Sequence, residues 1–221
     1  MLLEHYYYYF QSALSPRFCD EILEYGKKHT LSNALTHVDD PNGGDFKTNL
    51  TQMTDDEKNH VLSKRKSNIA WLDDAWIYKE IQPYIHEANA MAGWNFDWDF
   101  SETTQFTKYD VGQFYGWHAD GHPRPYQGKD KNPNELGKIR KLSVTVSLND
   151  PQEYDGGNLE FSFRNNKDYD DNPEKAIHTC LEIRPKGSIV VFPSFVWHRV
   201  TPVTRGTRYS LVVWNLGYPW K

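Results

Sequence analysis

Three side chains in the second half of the chain have the types and spacing of a mononuclear metal site. His118 and Asp120 are separated by a single residue, and His198 lies far downstream. In an extended segment, residues i and i+2 project to the same side, so His118 and Asp120 can bind one ion together. Two imidazoles and one carboxylate suit a borderline metal such as Fe(II) and leave open positions for a substrate and dioxygen. The sequence therefore predicts an iron site whose third ligand, His198, comes from a separate strand.

Arg208 is the fourth candidate, because it opens a predicted strand that runs to Trp214. A guanidinium that points from a barrel strand into an apolar interior is costly unless it meets a carboxylate, ideally through two parallel hydrogen bonds. A dicarboxylic co-substrate would supply that carboxylate. We therefore expect Arg208 to share one catalytic site with His118, Asp120 and His198.

The elements that must position these residues change in type along the chain. Ser15 and Pro16 begin a predicted helix whose end Gly26 is expected to weaken, and a second helix is predicted from about residue 73 to residue 92. After Gly93 the apolar residues change from the helical period to the strand period, and turns rich in glycine and proline separate the segments. This order predicts a mainly β (α+β) fold, a jelly roll or barrel buttressed by N-terminal helices.

The chain of 221 residues is expected to form a single domain. Residues 1–94 would form the helical buttress with the first strands, and residues 95–217 the β core. Within that core, residues 96–100 and 142–148 alternate and predict strands, the second with one buried and one polar face. The long stretch 121–138 interrupts the strands, and such a loop is expected to serve as a lid or a substrate clamp.

The region from about residue 95 to residue 214 resembles a known family, the Fe(II)/2-oxoglutarate-dependent oxygenases of the prolyl 4-hydroxylase type, in the branch of the PKHD-type hydroxylases. The combined motif is far more specific than the His-x-Asp pair alone. The matching segments are residues 109–120, 155–159 and 187–188, together with His198 and Arg208.

This resemblance implies a double-stranded β-helix (jelly roll, cupin-like) core with His118, Asp120 and His198 as the iron ligands. It implies Arg208 as the partner of the distal carboxylate of 2-oxoglutarate, assisted by the hydroxyl of Tyr109. The implied cofactors are Fe(II), 2-oxoglutarate as co-substrate, O₂ and ascorbate. The implied reaction hydroxylates an unactivated C–H bond of a prolyl or other amino-acid residue in a peptide or protein, and releases succinate and CO₂.

The sequence departs from the family pattern in two places. His122 follows the metal motif, but Gly121 and Pro123 are expected to break the strand, so we do not expect His122 to be a ligand. Small polar residues occupy the strand 142–148 where some relatives place a tyrosine that binds the co-substrate. The set of groups around 2-oxoglutarate beyond Arg208 is therefore open.

Composition excludes several classes of protein. The 25 Lys and Arg residues against 30 Asp and Glu residues give a net charge of −5, which argues against a nucleic-acid partner. The two cysteines, Cys19 and Cys180, form neither a disulfide framework nor a zinc motif. We find neither a signal peptide nor an apolar run of the ~20 residues that a membrane helix needs. We therefore expect a cytoplasmic protein with no membrane partner.

Two residues are candidate substrate contacts, and two other functions stay open. Trp117 could stack on a substrate, although packing around the site is favoured for it. Arg140 could reach a peptide carbonyl or an acidic group, although a solvated surface position is favoured for it. The first alternative function is an AlkB-like nucleobase demethylase, but that branch carries a second arginine six residues after the first, where this chain has Trp214. The second is a non-catalytic barrel that binds a small acid or a carbohydrate.

Overall fold

A computed structural model describes residues 3–29, 31–34, 53–121, 124–128, 132–163 and 177–220. The helices in these ranges are α1 (Pro16–Lys28), α2 (Asp55–Lys64) and α3 (Ala75–Met91). The strands are β1 (Tyr8–Phe10), β2 (Ser32–Asn33), β3 (Arg65–Lys66), β4 (Asn68–Leu72), β5 (Phe100–Ser101), β6 (Thr104–Tyr109), β7 (Phe114–His118), β8 (Ile139–Ser147), β9 (Tyr154–Gly156), β10 (Leu159–Ser162), β11 (Ile177–Thr179), β12 (Ile189–Pro193), β13 (Trp197–Val200), β14 (Val203–Gly206) and β15 (Arg208–Gly217).

The strands form a large and a small antiparallel sheet that face each other. The large sheet has the order β1-β12-β8-β15-β6-β4-β2, with β5 paired to β15, and the small sheet has the order β11-β10-β13-β7-β3. A further pair joins β14 to β9. Buried side chains of both sheets meet in one cluster, for example Phe161 of β10 against Phe192 of β12. The candidate metal ligands lie on the small sheet, and Arg208 lies on the large one.

Helices α1 and α3 cover the outer face of the large sheet. Their apolar residues pack against the outward-facing residues of β4, β6, β8, β12 and β15 in the main core cluster. The predicted start of α1 is correct, since the Ser15 hydroxyl accepts a hydrogen bond from the Phe18 amide and Pro16 is the first helical residue. The helix ends at Lys28, so Gly26 lies in its last turn. Gly26 lies inside the helix, and a Cβ there would come within 2.5 Å of the Phe106 ring, so glycine allows helix and sheet to approach closely.

The alternation in residues 142–148 has a different meaning from the one expected. One face of β8 is polar, as predicted, but it is not exposed to solvent, because both faces of the strand are buried. Its apolar residues face the helices, whereas Ser143, Thr145 and Ser147 belong to the other face, toward the small sheet. The Ser143 and Ser194 hydroxyls lie 2.9 Å apart in this interior. The polar face of β8 therefore contributes to a polar chamber between the two sheets.

The predicted strand over residues 96–100 is wrong for most of its length, because β5 begins only at Phe100. The burial does alternate, with Trp94 and Phe96 buried beside α3. However, the side chain of Asn89 in α3 bonds the backbone of Phe96 on both sides, accepting from its N–H and donating to its C=O, each at 2.9 Å. The side-chain amide of Asn89 thus makes the two backbone hydrogen bonds that a neighbouring strand would otherwise make to Phe96.

Candidate active site

His118, Asp120 and His198 meet at one point between the sheets. His118 ends β7 and lies directly opposite His198 of β13 in the register of the two strands. One ligand atom from each of the three residues lies within 4.8 Å of the other two. The Asp120 carboxylate is 3.6 Å from His118 Nε2 through Oδ1 and 3.5 Å from His198 Nε2 through Oδ2. This is the only such group of three among the residues that the structure describes.

Backbone carbonyls fix both imidazole rings. His118 Nδ1 lies 2.8 Å from the carbonyl oxygen of Gly116, and His198 Nδ1 lies 3.0 Å from that of Val196. A proton on each Nδ1 satisfies these contacts and leaves the lone pair on Nε2, which points toward Asp120. Outer hydrogen bonds of this kind orient histidine ligands in metal sites. The donor set is therefore two neutral nitrogens and one carboxylate with open positions, which fits Fe(II).

The protonation states of the cluster suit a metal ion. Burial, together with the neighbouring His118, lowers the pKa of His198 to about 4, so this imidazole is neutral at neutral pH. Burial alone would raise the pKa of Asp120, but His198 and His118 together hold it well below its usual range. Metal ligation requires a neutral imidazole and an ionised carboxylate. Both forms are thus present without a metal to impose them.

A stack of three side chains, absent from the sequence predictions, supports His118. The Tyr115 ring lies 3.5 Å from the His118 ring, nearly parallel to it, and the Arg65 guanidinium lies 4.3 Å from the Tyr115 centroid. Arg65 is itself buried and donates to Ser67 and Gln105. Burial raises the pKa of the Tyr115 hydroxyl to about 12, so it is protonated and can donate a hydrogen bond within the site.

Arg208 is buried beside Tyr109 and has no carboxylate partner in the described part of the chain. It is 3% exposed, its Nη1 donates to Ser210 Oγ at 3.1 Å, and its guanidinium lies 5.4 Å from the ring centroid of Tyr109, the residue directly opposite on β6. A buried guanidinium without a carboxylate is costly, and most of its five donors are available to a ligand. The arrangement therefore fits the distal carboxylate of 2-oxoglutarate.

Gly157 makes the room that Arg208 occupies. Its φ is +58°, and a Cβ there would come within 2.9 Å of Arg208 Cδ and 3.0 Å of Val203 Cγ2. We expect Gly157→Ala to lower the free energy of unfolding by about 1–2 kcal/mol through the positive φ. Because the added methyl also displaces Arg208, we expect 2-oxoglutarate to bind more weakly. Chemical denaturation and co-substrate titration measure the two effects.

The matched control is Gly93→Ala. Gly93 has a φ of +69°, but a Cβ there would meet nothing within 4 Å. This variant should lose a similar amount of stability and keep the co-substrate affinity of the wild type. Equal co-substrate affinity in both variants would contradict the role of Gly157 in placing Arg208.

Arg140 lies inside the site, so the favoured prediction of a solvated surface position is wrong. Its guanidinium binds both carboxylate oxygens of Glu102, with the shortest contact at 2.6 Å, and stacks on Trp214 at 4.0 Å from the ring centroid. The Tyr126 hydroxyl also donates to Glu102, at 2.9 Å. Tyr126 belongs to the predicted lid, so the described part of that loop reaches the site directly.

An irregularity in strand pairing turns Arg140 inward. Asn215 of β15 pairs with Leu142, and the next residue, Leu216, pairs with Arg140, which leaves Lys141 without a paired position. An extra residue of this kind reverses the side on which the following side chains lie. Arg140 therefore contacts the inward-facing Trp214, although simple alternation from Leu142 would place it with the helices.

Trp214 lies at the site, against the guanidinium of Arg140. Its indole Nε1 is buried and has no hydrogen-bond partner among the residues that the structure describes. Its ring lies 6.2 Å from that of Trp71, which is 49% exposed. An unpartnered buried donor costs free energy unless a ligand accepts its hydrogen bond. The buried Trp214 ring lies beside an exposed ring, that of Trp71.

Two further residues from the sequence analysis, Trp117 and His122, are not brought into the site by the described part of the structure. The Trp117 ring packs at 4.7 Å from the guanidinium of Arg199, which in turn pairs with Glu160. Because Arg199 is adjacent to the inward-facing His198, this contact places Trp117 on the outer side of the small sheet. His122 lies outside the described residues, as does part of the loop 121–138.

Comparison with known proteins identifies the family. Residues 104–215 match the family model of the 2OG-Fe(II) oxygenase superfamily. The chain belongs to this superfamily. The match runs from β6 to β15 and includes His118, Asp120, His198 and Arg208. Fe(II) and 2-oxoglutarate are the cofactors for which the superfamily is named, and the site described above fits both.

Curated relatives belong to the PKHD-type hydroxylases. The chain is 33% identical over 109 residues to a PKHD-type hydroxylase of Janthinobacterium sp. (strain Marseille), over 49% of this chain and 41% of the relative. It is 35% identical over 112 residues to the PKHD-type hydroxylase YbiX of Escherichia coli O157:H7, over 51% of this chain and 41% of the relative. The chain thus spans about two fifths of the length of these relatives.

Solved structures confirm the predicted double-stranded β-helix. A viral collagen prolyl hydroxylase from Paramecium Bursaria Chlorella virus-1 aligns with a TM-score of 0.60 and 19% identity, over 97% of both chains. A prolyl hydroxylase from Trichoplax adhaerens, in complex with a hypoxia inducible factor peptide fragment, aligns with a TM-score of 0.57 and 17% identity, over 96% of this chain and 84% of that one. Likeness at these identities establishes the fold.

None of the helices in the described residues is long and apolar enough to cross a membrane.

Proposed function

We propose that the protein is a 2-oxoglutarate-dependent hydroxylase in which His118, Asp120 and His198 hold Fe(II). The observation that carries the proposal is the convergence of these three donors in the same interior as Arg208, a buried guanidinium with no described carboxylate partner. When bound, Fe(II) with 2-oxoglutarate and O₂ supplies the oxidation, in which the co-substrate becomes succinate and CO₂ and one oxygen atom enters a C–H bond of the substrate.

The protein's own residues orient and enclose the reactants. Arg208 would bind the distal carboxylate of 2-oxoglutarate through paired hydrogen bonds, with the Tyr109 hydroxyl as a second donor. The apolar side chains where the sheets meet exclude water, which strengthens each of these electrostatic contacts. The Gly116 and Val196 carbonyls hold the two imidazoles in the tautomer that leaves Nε2 free.

We propose a peptide or protein substrate that presents a prolyl residue. Trp214 lies beside the exposed Trp71, and flat rings of this kind pack well against a pyrrolidine ring. Arg140 lies against Trp214, and the unpaired Nε1 of Trp214 can donate to a peptide carbonyl. The curated relatives are named hydroxylases, and one structural neighbour is a prolyl hydroxylase in complex with a peptide fragment.

The test is hydroxylation of proline-containing peptides. We expect Fe(II)- and 2-oxoglutarate-dependent gain of one oxygen atom in mass spectrometry, with one succinate per hydroxylated residue. Trp214→Phe keeps the ring and removes one hydrogen-bond donor, so peptide KM should rise about 2- to 13-fold with the KM for 2-oxoglutarate unchanged. Oxidation of a methylated nucleobase with no peptide product would contradict the substrate class.

We also propose the cytoplasm as the location. Cys19 and Cys180 are free and buried. Free thiols of this kind are consistent with a reducing compartment.

A further inference from the structure

A row of aromatic rings connects His198 with the surface of the protein. Phe161 of β10 is the strand partner of His198, and the centroids of the two rings lie 6.3 Å apart. Tyr7, in the segment before β1, stacks almost parallel on Phe161 at 5.0 Å. The next ring is that of Tyr9, which lies 6.3 Å from Tyr7 and is 44% exposed. Successive ring contacts therefore join a candidate iron ligand to an exposed tyrosine.

A surface cavity gives small molecules access to the outer end of this row. It has a volume of about 580 Å³, and in the described part of the chain residues 4–9, Phe163 and His178 line it. Tyr7 and Tyr9 belong to this wall, so a small solute in the cavity would contact the row directly. A flat aromatic solute suits such a wall, because offset stacking between rings is favourable.

The Tyr7 hydroxyl has two bases in contact. Its oxygen lies 2.8 Å from Nε2 of His178 and 3.4 Å from Oε1 of Glu182. The other oxygen of Glu182, Oε2, is buried and has no hydrogen-bond partner among the described residues. Burial raises the pKa of Tyr7, and the neighbouring Cys180 and Glu182 raise it further, so the phenol keeps its proton. An oxidised phenol releases that proton, and His178 lies within the distance at which a base accepts it.

Tyr7 is better suited to lose an electron than Tyr115, although Tyr115 lies closer to a metal ligand. The Arg65 guanidinium lies 4.3 Å from the Tyr115 ring, and a cation beside a ring opposes the removal of an electron. No described residue accepts a hydrogen bond from the Tyr115 hydroxyl. By contrast, none of the ionisable groups that shift the pKa of Tyr7 is a cation. Tyr7 therefore combines a proton acceptor with surroundings that favour oxidation.

We propose that Tyr7 is a redox-active tyrosine that passes single electrons from a small quinol in the surface cavity to the iron site, with His178 as the acceptor of its proton. The inference rests on the proposed function, because the iron site that O₂ and 2-oxoglutarate have oxidised is the oxidant. When no peptide is bound, this route reduces the oxidised site before it attacks neighbouring side chains.

Electrons and protons balance in both steps. In the first step Tyr7 gives one electron, through Phe161, to the oxidised iron site. Its O–H bond breaks and the proton passes to Nε2 of His178, whose own proton is on Nδ1. In the second step the quinol gives one electron to the Tyr7 radical and one proton to solvent, and His178 returns the first proton to Tyr7. The iron site has then gained one electron, and it takes one proton from water.

The test is rapid-freeze electron paramagnetic resonance of the full chain, loaded with Fe(II) and 2-oxoglutarate and mixed with O₂ without peptide. We expect an organic radical whose spectrum narrows when the tyrosines carry ring deuterium. Tyr7→Phe keeps the ring and removes the hydroxyl, so it should lose this signal. Tyr8→Phe is the matched control, because this adjacent ring packs against the main core cluster, and it should keep the signal.

Two further measurements test the base and the electron donor. His178→Phe keeps a ring in the cavity wall and removes the base, so the yield of the radical should fall. Hydroquinone is the donor used. It should shorten the lifetime of the radical in the wild type and reduce the oxidation of side chains that mass spectrometry detects. In Tyr7→Phe hydroquinone should give no such protection.

The outcomes separate this inference from the proposed function, because succinate formed with proline-containing peptides reports the function independently. Succinate with peptide but no radical in its absence would overturn this inference alone. A radical that is unchanged in Tyr7→Phe, or equal protection by hydroquinone in this variant and the wild type, would overturn it as well. If no succinate forms with any peptide and no radical appears, the oxidant is lacking and both ideas fail together.

Discussion

Asp120→Ala is expected to abolish the formation of succinate and to weaken Fe(II) binding by at least ~100-fold. Loss of an outer hydrogen-bond partner of a metal ligand alone costs about 10- to 100-fold in affinity, and Asp120 supplies the only carboxylate of the described cluster. The variant should still fold, because the buried His198 that loses its carboxylate neighbour has a pKa lowered to about 4 by burial and is neutral at neutral pH. Fe(II) titration under nitrogen and a succinate assay measure the two effects.

The matched control for this variant is Asp56→Ala, which removes an exposed carboxylate from the first turn of α2. It should bind Fe(II) and form succinate like the wild type. Retention of wild-type Fe(II) affinity by Asp120→Ala would show that the metal does not bind at His118 and His198. Circular dichroism of both variants separates a lost ligand from a lost fold.

Arg208→Ala is expected to raise the 2-oxoglutarate concentration needed for half-maximal activity by a factor between about 30 and about 4,000. Truncation of one member of a buried, hydrogen-bonded charge pair costs about 2–5 kcal/mol, which converts to this range. Fe(II) affinity should change little, because Arg208 lies on the other sheet from the candidate ligands. Initial rates at varied 2-oxoglutarate concentration check the prediction.

Two variants sharpen the role of Arg208. Arg208→Lys keeps the charge but loses the planar fork, so its affinity should fall between those of Arg208→Ala and the wild type. Arg205→Ala removes an exposed arginine whose partner is Asp155, and it should behave like the wild type. If all three variants required the same 2-oxoglutarate concentration, the co-substrate would bind elsewhere.

The central part of the site can be predicted because its geometry follows local rules. The spacing of His118 and Asp120 places both on one side of an extended segment, whatever the rest of the fold does. Their meeting with His198 was expected from the resemblance to the oxygenases, and the register of β7 with β13 now accounts for it. Arg208 was expected from the cost of burying an unpaired guanidinium.

The surroundings of the site could not be predicted, because they depend on irregular strand pairing. Between the pairs His198–His118 and Val200–Tyr115, β7 has one residue more than β13, and this extra residue brings Tyr115 onto the His118 ring. In the same way, the extra residue in β8 directs Arg140 toward Glu102. Periodicity analysis assumes regular alternation, so it cannot locate such residues.

The packing of the helices also depends on contacts that a local sequence pattern cannot predict. The sequence marks Gly26 as a weak point near the end of α1. Its close contact with Phe106, in a strand 80 residues later, cannot be read from a local pattern. Asn89 likewise replaces a strand partner for Phe96 through its side chain. In both cases tertiary contact overrides local preference.

The most direct test of the account is an anaerobic titration of the metal-free protein with Fe(II) and 2-oxoglutarate, followed by visible absorption. We expect the charge-transfer band of a 2-oxo acid chelated to iron in the wild type and in Arg205→Ala. Arg208→Ala should require far more 2-oxoglutarate to reach the same band. Bound iron that gives no band at saturating 2-oxoglutarate would contradict the account and favour a barrel that binds a small acid without catalysis.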